Sequence, residues 1–219
     1  MSAVRVVSWN VRSLRDGSAG VARALRSLAP DVALVQEAPR LLLSGLSNRR
    51  LARRTGLRRV VGGAPAAGNL LLVSPRVAVV DARAVRLPRR PGLHRRGAVL
   101  AALAVDGWRL GVLGTHLDLD PDARLDTASR LRAMLPADPA PVVAGDVNDE
   151  PGSPAWQALS AGLVDLGREL GPTFPQRGPD RRIDGVFADP ALRVVSVLRP
   201  DPGPVSDHLP LVVDLLLPG

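Results

Sequence analysis

Apolar residues fall into short runs separated by turn-forming residues, and the runs have strand length. They predict strands at residues 4–9, 32–35, 70–73, 77–80, 99–105, 110–114, 142–144, 183–187, 194–198 and 211–216. Several, such as 70–73, are continuous rather than alternating, which suits strands buried on both faces. Helical spacing marks 21–28 (Val21, Leu25, Leu28), 123–135 (Leu125, Ala128, Leu131, Leu135) and 154–163, with Asp122 placed as a cap for the second. Residues 138–141 read as a rigid loop, and no break in composition marks a linker. This order of strands and helices predicts β-sheet layers covered by helices in a single domain over 1–219.

Composition narrows the picture. A hydrophobic share of 46% is ample for a core, and the absence of cysteine excludes disulfides and thiolate metal sites. No apolar stretch reaches the roughly 20 residues that cross a bilayer. The opening "MSAVRVVSWN" enters a strand pattern directly, so no signal peptide is seen and a cytoplasmic monomer is expected. The net charge is +8, and every basic side chain is arginine. Between Arg40 and Arg96 the only acid is Asp81, whereas Arg49, Arg50, Arg53, Arg54, Arg58 and Arg59 bunch together, as do Arg83, Arg86, Arg89, Arg90, Arg95 and Arg96. A nucleic-acid partner and a merely solvated face both fit, because a GC-rich coding sequence also enriches arginine. Trp9, Trp108 and Trp156 fall inside element patterns and are expected in the core, which leaves few aromatics for base stacking.

The polar residues at strand ends carry the chemistry. Asn10 ends "VVSWN", Glu37 ends "DVALVQE", Asn69 opens "GNLLLVS", and Thr115 and His116 end "RLGVLGTH". Asp146 and Asn148 follow "PVVAG", Asp184 lies in "RRIDGVF", and Ser206, Asp207 and His208 lie in "VSDHLPL". Singly, each has a turn-forming explanation. Jointly, they place two of the three histidines beside carboxylate and amide oxygens at strand ends, where ligand sites collect in layered folds. Hard cations such as Mg²⁺ take those oxygens, and a histidine beside a carboxylate can manage a proton. That is the set needed for metal-assisted hydrolysis of a phosphate ester.

"SWNVRSL", "DVALVQE", "LGTHLD", "VAGDVNDEPGS", "RRIDGVF" and "VSDHLPL", in this order over 7–217, resemble the endonuclease/exonuclease/phosphatase superfamily. The resemblance implies a DNase I-like α/β/β/α sandwich of two packed mixed sheets flanked by helices. It implies an Mg²⁺ or Mn²⁺ cofactor on Asn10 and Glu37, with Asp207 contributing, and a catalytic set of His116, Asp146, Asn148, Asp184 and His208. Asp149 and Glu150 would be flanking, solvated residues. Asn69, Arg49, Arg50, Arg53 and Arg54 are candidate substrate-phosphate contacts, Asn69 equally a turn cap. The abasic-site endonuclease branch carries an aspartate at Arg12 and tyrosines at His116 and Gly185, so that branch is disfavoured. The expected activity is phosphodiester hydrolysis on DNA or RNA. A phospholipid, inositol phosphate or small phosphoester is the alternative, and a catalytically dead binding module is third.

Overall fold

The computed structural model describes residues 3–41, 43–136 and 138–216. In chain order the elements are β1 (Ala3–Asn10), α1 (Ser18–Leu28), β2 (Val32–Gln36), α2 (Ser44–Thr55), β3 (Arg58–Gly62), β4 (Leu70–Val73), β5 (Ala78–Arg86) and β6 (Gly97–Val105). There follow β7 (Trp108–His116), α3 (Pro121–Ala133), β8 (Pro141–Asp146), α4 (Pro154–Ser160), β9 (Val164–Asp165), β10 (Asp184–Ala188), β11 (Arg193–Leu198) and β12 (Leu211–Leu216). Short 3₁₀ turns occupy Arg12–Leu14 and Ala64–Ala66.

The strands form two six-stranded sheets, ordered β11-β12-β1-β2-β4-β3 and β5-β6-β7-β8-β10-β9. Both are mixed: β1 pairs parallel with β2 and β7 with β8, while the other pairings are antiparallel. Each strand sends alternate side chains to opposite faces. Val4, Val6, Leu34 and Leu71 of the first sheet meet Val99, Leu103, Val112 and Val142 of the second in a shared inner core. On the outer face of the first sheet, Trp9, Val35 and Leu70 pack on Val21 and Leu25 of α1 and Leu51 of α2. On the outer face of the second, Leu113, Val143 and Phe187 pack on Leu131 of α3 and Trp156 of α4. The result is the α/β/β/α sandwich, and central strands such as β2 are buried on both faces, as their unbroken apolar runs require. The sheets approach closely at Gly114, where an added Cβ would lie 2.9 Å from Leu34 Cδ2.

Several elements depart from the sequence-based expectations. Helix α2 carries the first arginine bunch yet had no recognisable stripe. Its buried face is Asn48, Leu51, Ala52 and Thr55, so two of the four inward positions are polar. Asn48 Nδ2 donates to the Pro39 carbonyl at 3.0 Å and Thr55 Oγ1 to the Ala52 carbonyl at 2.8 Å. Edge strand β3 is half-exposed and β9 has only two residues, so neither had a readable run. Strand β5 continues past the expected residue 80 through a bulge, with Ala82 and Ala84 as its weakly apolar inward positions. Asp120, not Asp122, caps α3: its side chain accepts from Ala123 N at 2.9 Å, and Pro121 supplies the first helical residue. Trp108 is 38% exposed, unlike the buried Trp9 and Trp156, because it begins β7 beside the Asp106-Gly107 turn.

Candidate active site

One end of the sandwich collects the polar strand ends. Asn10, Glu37, His116 and Asp146 close or follow β1, β2, β7 and β8, whereas Asp184 and His208 lie at or before the starts of the antiparallel β10 and β12. The parallel register sets His116 directly beside Asp146. Gly145 permits this approach, since a Cβ there would stand 1.9 Å from the Thr115 carbonyl oxygen. A cleft of about 470 Å³ opens on this end, lined among others by Glu37, His116, Asp146, Asn148, Asp207 and His208.

The side chains form a connected network. The Asn10 amide Nδ2 donates to Asp146 Oδ2 at 2.9 Å and to Glu37 Oε1 at 3.3 Å, bridging two carboxylates. Asp146 Oδ1 accepts the Asn148 N–H at 3.0 Å. Asn148, held in a left-handed conformation at φ 55°, aims its amide at His116 Nε2 (2.9 Å) and the Leu117 carbonyl (2.9 Å). On the far side, His208 Nδ1 lies 2.9 Å from Asp184 Oδ2, and Thr173 Oγ1 donates to the same oxygen at 2.6 Å. Asp146 Oδ2 stands 3.7 Å from His208 Nε2 and 3.4 Å from His116 Nε2, so it sits between the two imidazoles.

The pKa values of the two histidines shift in opposite directions. Burial opposes the charge on His208, but Asp184 first and Asp146 next outweigh it and raise its pKa to about 10. Burial dominates at His116 and lowers its pKa to about 4, with Arg96 and Arg40 adding to the effect against Asp146. At neutral pH the site therefore holds an imidazolium on one side of Asp146 and a neutral imidazole on the other.

The loop between β12 and its predecessor answers how neighbours Asp207 and His208 serve one site. Trp9 Nε1 donates to the His208 carbonyl at 2.8 Å and Ser206 Oγ to the Asn10 carbonyl at 2.7 Å, which ties this irregular segment to the end of β1. His208 is buried against Phe174, while Asp207 stands on the rim, paired with Arg12 Nε at 3.2 Å. Arg12, Ser13 and Leu14 all have positive φ, a conformation that costs roughly 1–2 kcal/mol per residue. The turn brings Arg12 to Asp207 and Ser13 to Glu37.

The donor set fits a hard divalent cation. Glu37 faces the cleft, and among the described residues its side-chain partners are Asn10 and, at 3.4 Å, Ser13, which leaves spare oxygen lone pairs. Glu37 and Asp146 share a single amide, so a cation would relieve two neighbouring negative charges. Asp146, Asp184 and His208 also place ligand atoms within 4.8 Å of one another. Within this trio Asp184 Oδ2 is already shared by His208 Nδ1 at 2.9 Å and Thr173 Oγ1 at 2.6 Å, so Asp184 serves to orient the imidazole.

Other expected residues fall elsewhere. Asn69 is buried, with Nδ2 donating to the Ala66 and Gly97 carbonyls at 2.9 Å each, which ties the Ala64–Ala66 turn to β6. Arg49, Arg50, Arg53 and Arg54 lie on α2 and do not line the cleft; Arg54 donates to Ser18 Oγ at 3.1 Å. Asp149 is not simply solvated, since Arg124 Nη2 pairs with it at 2.8 Å while Arg124 Nη1 holds the Asn148 carbonyl at 2.9 Å. The structure adds Thr173, Arg124, Arg15, Arg40, Arg96 and Arg181 to the residues that support or line the site. Trp108 lies at the opposite end of β7 from His116, remote from the cleft.

A model of the Endonuclease/Exonuclease/phosphatase family matches residues 7–208. Among solved structures, an endonuclease/exonuclease/phosphatase from Beutenbergia cavernae is 27% identical, with TM-score 0.76, over 100% of this chain and 72% of that one. TDP2 from D. rerio, solved with a single-strand DNA product, is 18% identical with TM-score 0.82, over 99% and 100%. A mannosyl-6-phosphatase from Bacteroides thetaiotaomicron is 16% identical with TM-score 0.77, over 98% and 100%. No curated protein matches the sequence.

Proposed function

Because this chain belongs to the Endonuclease/Exonuclease/phosphatase family, we propose that it is a divalent-metal-dependent phosphodiesterase acting on nucleic acid. The observation that carries the chemistry is the pairing of a His208–Asp184 imidazolium with Asp146 at the floor of an arginine-rimmed cleft. Glu37 and Asn10 would hold the cation, with Asp207 at the rim. When bound, Mg²⁺ or Mn²⁺ supplies Lewis-acid polarisation of the phosphoryl oxygens.

Asp146 orients the attacking water and accepts its proton as the new P–O bond forms and the ester P–O bond breaks. Asn148 would turn the amide hydrogen it gives to neutral His116 towards a phosphoryl oxygen, keeping its bond to the Leu117 carbonyl, while Arg124 holds its backbone carbonyl. His208 stays protonated and donates from Nε2 to the charge that develops on the phosphoryl group. Asp184, itself held by Thr173, keeps that imidazolium charged and aimed. The intact set argues against a dead binding module.

Nucleic acid is preferred because Arg15, Arg40, Arg96 and Arg181 line the cleft and suit a substrate with repeated phosphates. D. rerio TDP2 in its complex with single-strand DNA product supports this reading. The mannosyl-6-phosphatase neighbour keeps a small phosphoester as the second reading. A screen of the purified protein with Mg²⁺ or Mn²⁺ on plasmid DNA, RNA, phospholipid and bis-p-nitrophenyl phosphate tests it. Cleavage of DNA or RNA is expected; turnover confined to small monoesters or lipids would reject the nucleic-acid assignment.

A further inference from the structure

The cleft has a cationic wall that hydrolysis at Asp146 does not use. Arg40 follows β2, and His94 and Arg96 end the loop that enters β6; all three line the cleft with His116. Arg40 stands close enough to Arg96 to disfavour its charge, and both disfavour charge on His116. Juxtaposed like charges cost free energy unless a counter-charge lies between them. The fold supplies only part of one. Arg96 Nε pairs with Asp118 Oδ2 at 3.2 Å, but its two Nη atoms make no hydrogen bond among the described residues. Arg40 reaches the Ala67 carbonyl at 3.2 Å and has no carboxylate partner among them.

Position gives this wall its meaning. Strand β4 lies next to β2 in one sheet and β6 next to β7 in the other. Arg40 leaves β2 itself but reaches Ala67 just before β4, and Arg96 enters β6 beside β7, so the cluster lies at or one strand beyond the column that holds Glu37 and His116. It lies on the side away from the His208–Asp184 pair. On that opposite side Arg12 pairs with Asp16 and Asp207, and Arg181 covers the Phe174 ring at 4.8 Å.

We propose that Arg40, Arg96 and His94 form a second anion subsite that binds a phosphate adjacent to the scissile one. This rests on the reading that the scissile phosphate sits at Asp146 and Asn148. The substrate class is then an ester with at least two anionic groups a short spacer apart. Asp118 orients Arg96 by its Nε edge and leaves the Nη edge for an oxyanion, a geometry that lysine cannot reproduce. The exposed His94 adds a donor at the cleft mouth. Both a polynucleotide and a small bisphosphate present this chemistry.

Titration calorimetry on the intact protein, with Ca²⁺ in place of Mg²⁺, tests the subsite without relying on turnover. The probes are thymidine 3′,5′-bisphosphate against its two monophosphates, and fructose 1,6-bisphosphate against fructose 6-phosphate. A bisphosphate should bind at least tenfold more tightly than its monophosphate, and Arg40→Gln and Arg96→Lys should each cut that advantage at least fivefold. Arg40 is exposed, so its variant folds even if the Arg96 variant does not. An advantage confined to the nucleotide series identifies a polynucleotide; one in the sugar series identifies a small bisphosphate. An advantage below tenfold in both series, or one that persists in Arg40→Gln, overturns the subsite. Loss of all hydrolase activity would instead reject the proposed function and leave this binding ratio readable.

Discussion

Replacing Asp184 with Asn should shift the charge state of His208 before it affects the fold. The Nδ1–Oδ2 contact is 2.9 Å and buried, a charge-assisted hydrogen bond worth roughly 1.5–3 kcal/mol. At 1.36 kcal/mol per pKa unit, its loss should bring the His208 pKa down by about one to two units. From about 10 it should therefore fall to roughly 8–9, still held up by Asp146 at 3.7 Å. Activity that needs the imidazolium persists at neutral pH and declines as pH rises through that value. The alkaline limb of kcat should move to lower pH in Asp184→Asn, and the His208 resonances in NMR should titrate with it. His208→Ala should lose about 10²–10⁴-fold in kcat. Because Asp184 acts through His208, the double variant should be little worse than His208→Ala alone. Losses that multiply, or an alkaline limb that does not move, would refute this pairing.

Four further outcomes follow from the same geometry. In the metal-free protein, the raised His208 pKa contributes stability that is complete below about pH 6.5 and lost as pH rises through about 10. The lowered His116 pKa has the opposite sign: its contribution is complete above about 6.5 and lost as pH falls through about 4. Urea midpoints across pH should show both slopes, and His116→Gln should remove the acid one. Gly145→Ala forces a Cβ to 1.9 Å from the Thr115 oxygen and should destabilise the fold by about 3 kcal/mol in urea unfolding. If α2 guides a nucleic-acid strand, the triple change of Arg49, Arg50 and Arg53 to Gln should reduce the salt slope of single-strand DNA affinity by about 2, at roughly 0.7 per phosphate contact. An unchanged slope would mean that this face of α2 is only solvated. Glu37→Ala should weaken Mg²⁺ dependence most among the site variants, read as the metal concentration for half-maximal activity.

Much of the site was legible because short polar residues interrupt long apolar runs. Asn10, Glu37, His116 and Asp146 each close or follow a strand whose buried residues leave little doubt of its end. Their convergence depends on register, which no local pattern carries: His116 meets Asp146 only because β7 and β8 run parallel with those residues aligned. Supporting residues were hidden for a similar reason. Thr173 sits in an irregular segment with no periodicity, and its role appears only when Asp184, from another element, comes to rest 2.6 Å away. Nothing in the helical pattern marks Arg124, yet it is buried and spans the Asn148 turn. Arg49, Arg50, Arg53 and Arg54 of the first bunch lie on α2 away from the cleft, whereas the cleft is lined by Arg96 of the second bunch and by the dispersed Arg15, Arg40 and Arg181. Helix α2 itself escaped notice because buried Asn48 and Thr55 meet their hydrogen-bonding needs through backbone carbonyls and so can stand where an apolar residue was expected.

In the proposed function, Asp146 and a divalent cation act together in this cleft to hydrolyse a phosphodiester. The most direct measurement is release of p-nitrophenol from bis-p-nitrophenyl phosphate by the intact protein and by Asp146→Asn, each with Mg²⁺ or Mn²⁺ and then with excess EDTA. Turnover by the unaltered protein should disappear on chelation and return with added metal, and Asp146→Asn should lose at least about 10²-fold. Full activity in excess chelator, or an Asp146→Asn protein as active as the original, would contradict the proposed function.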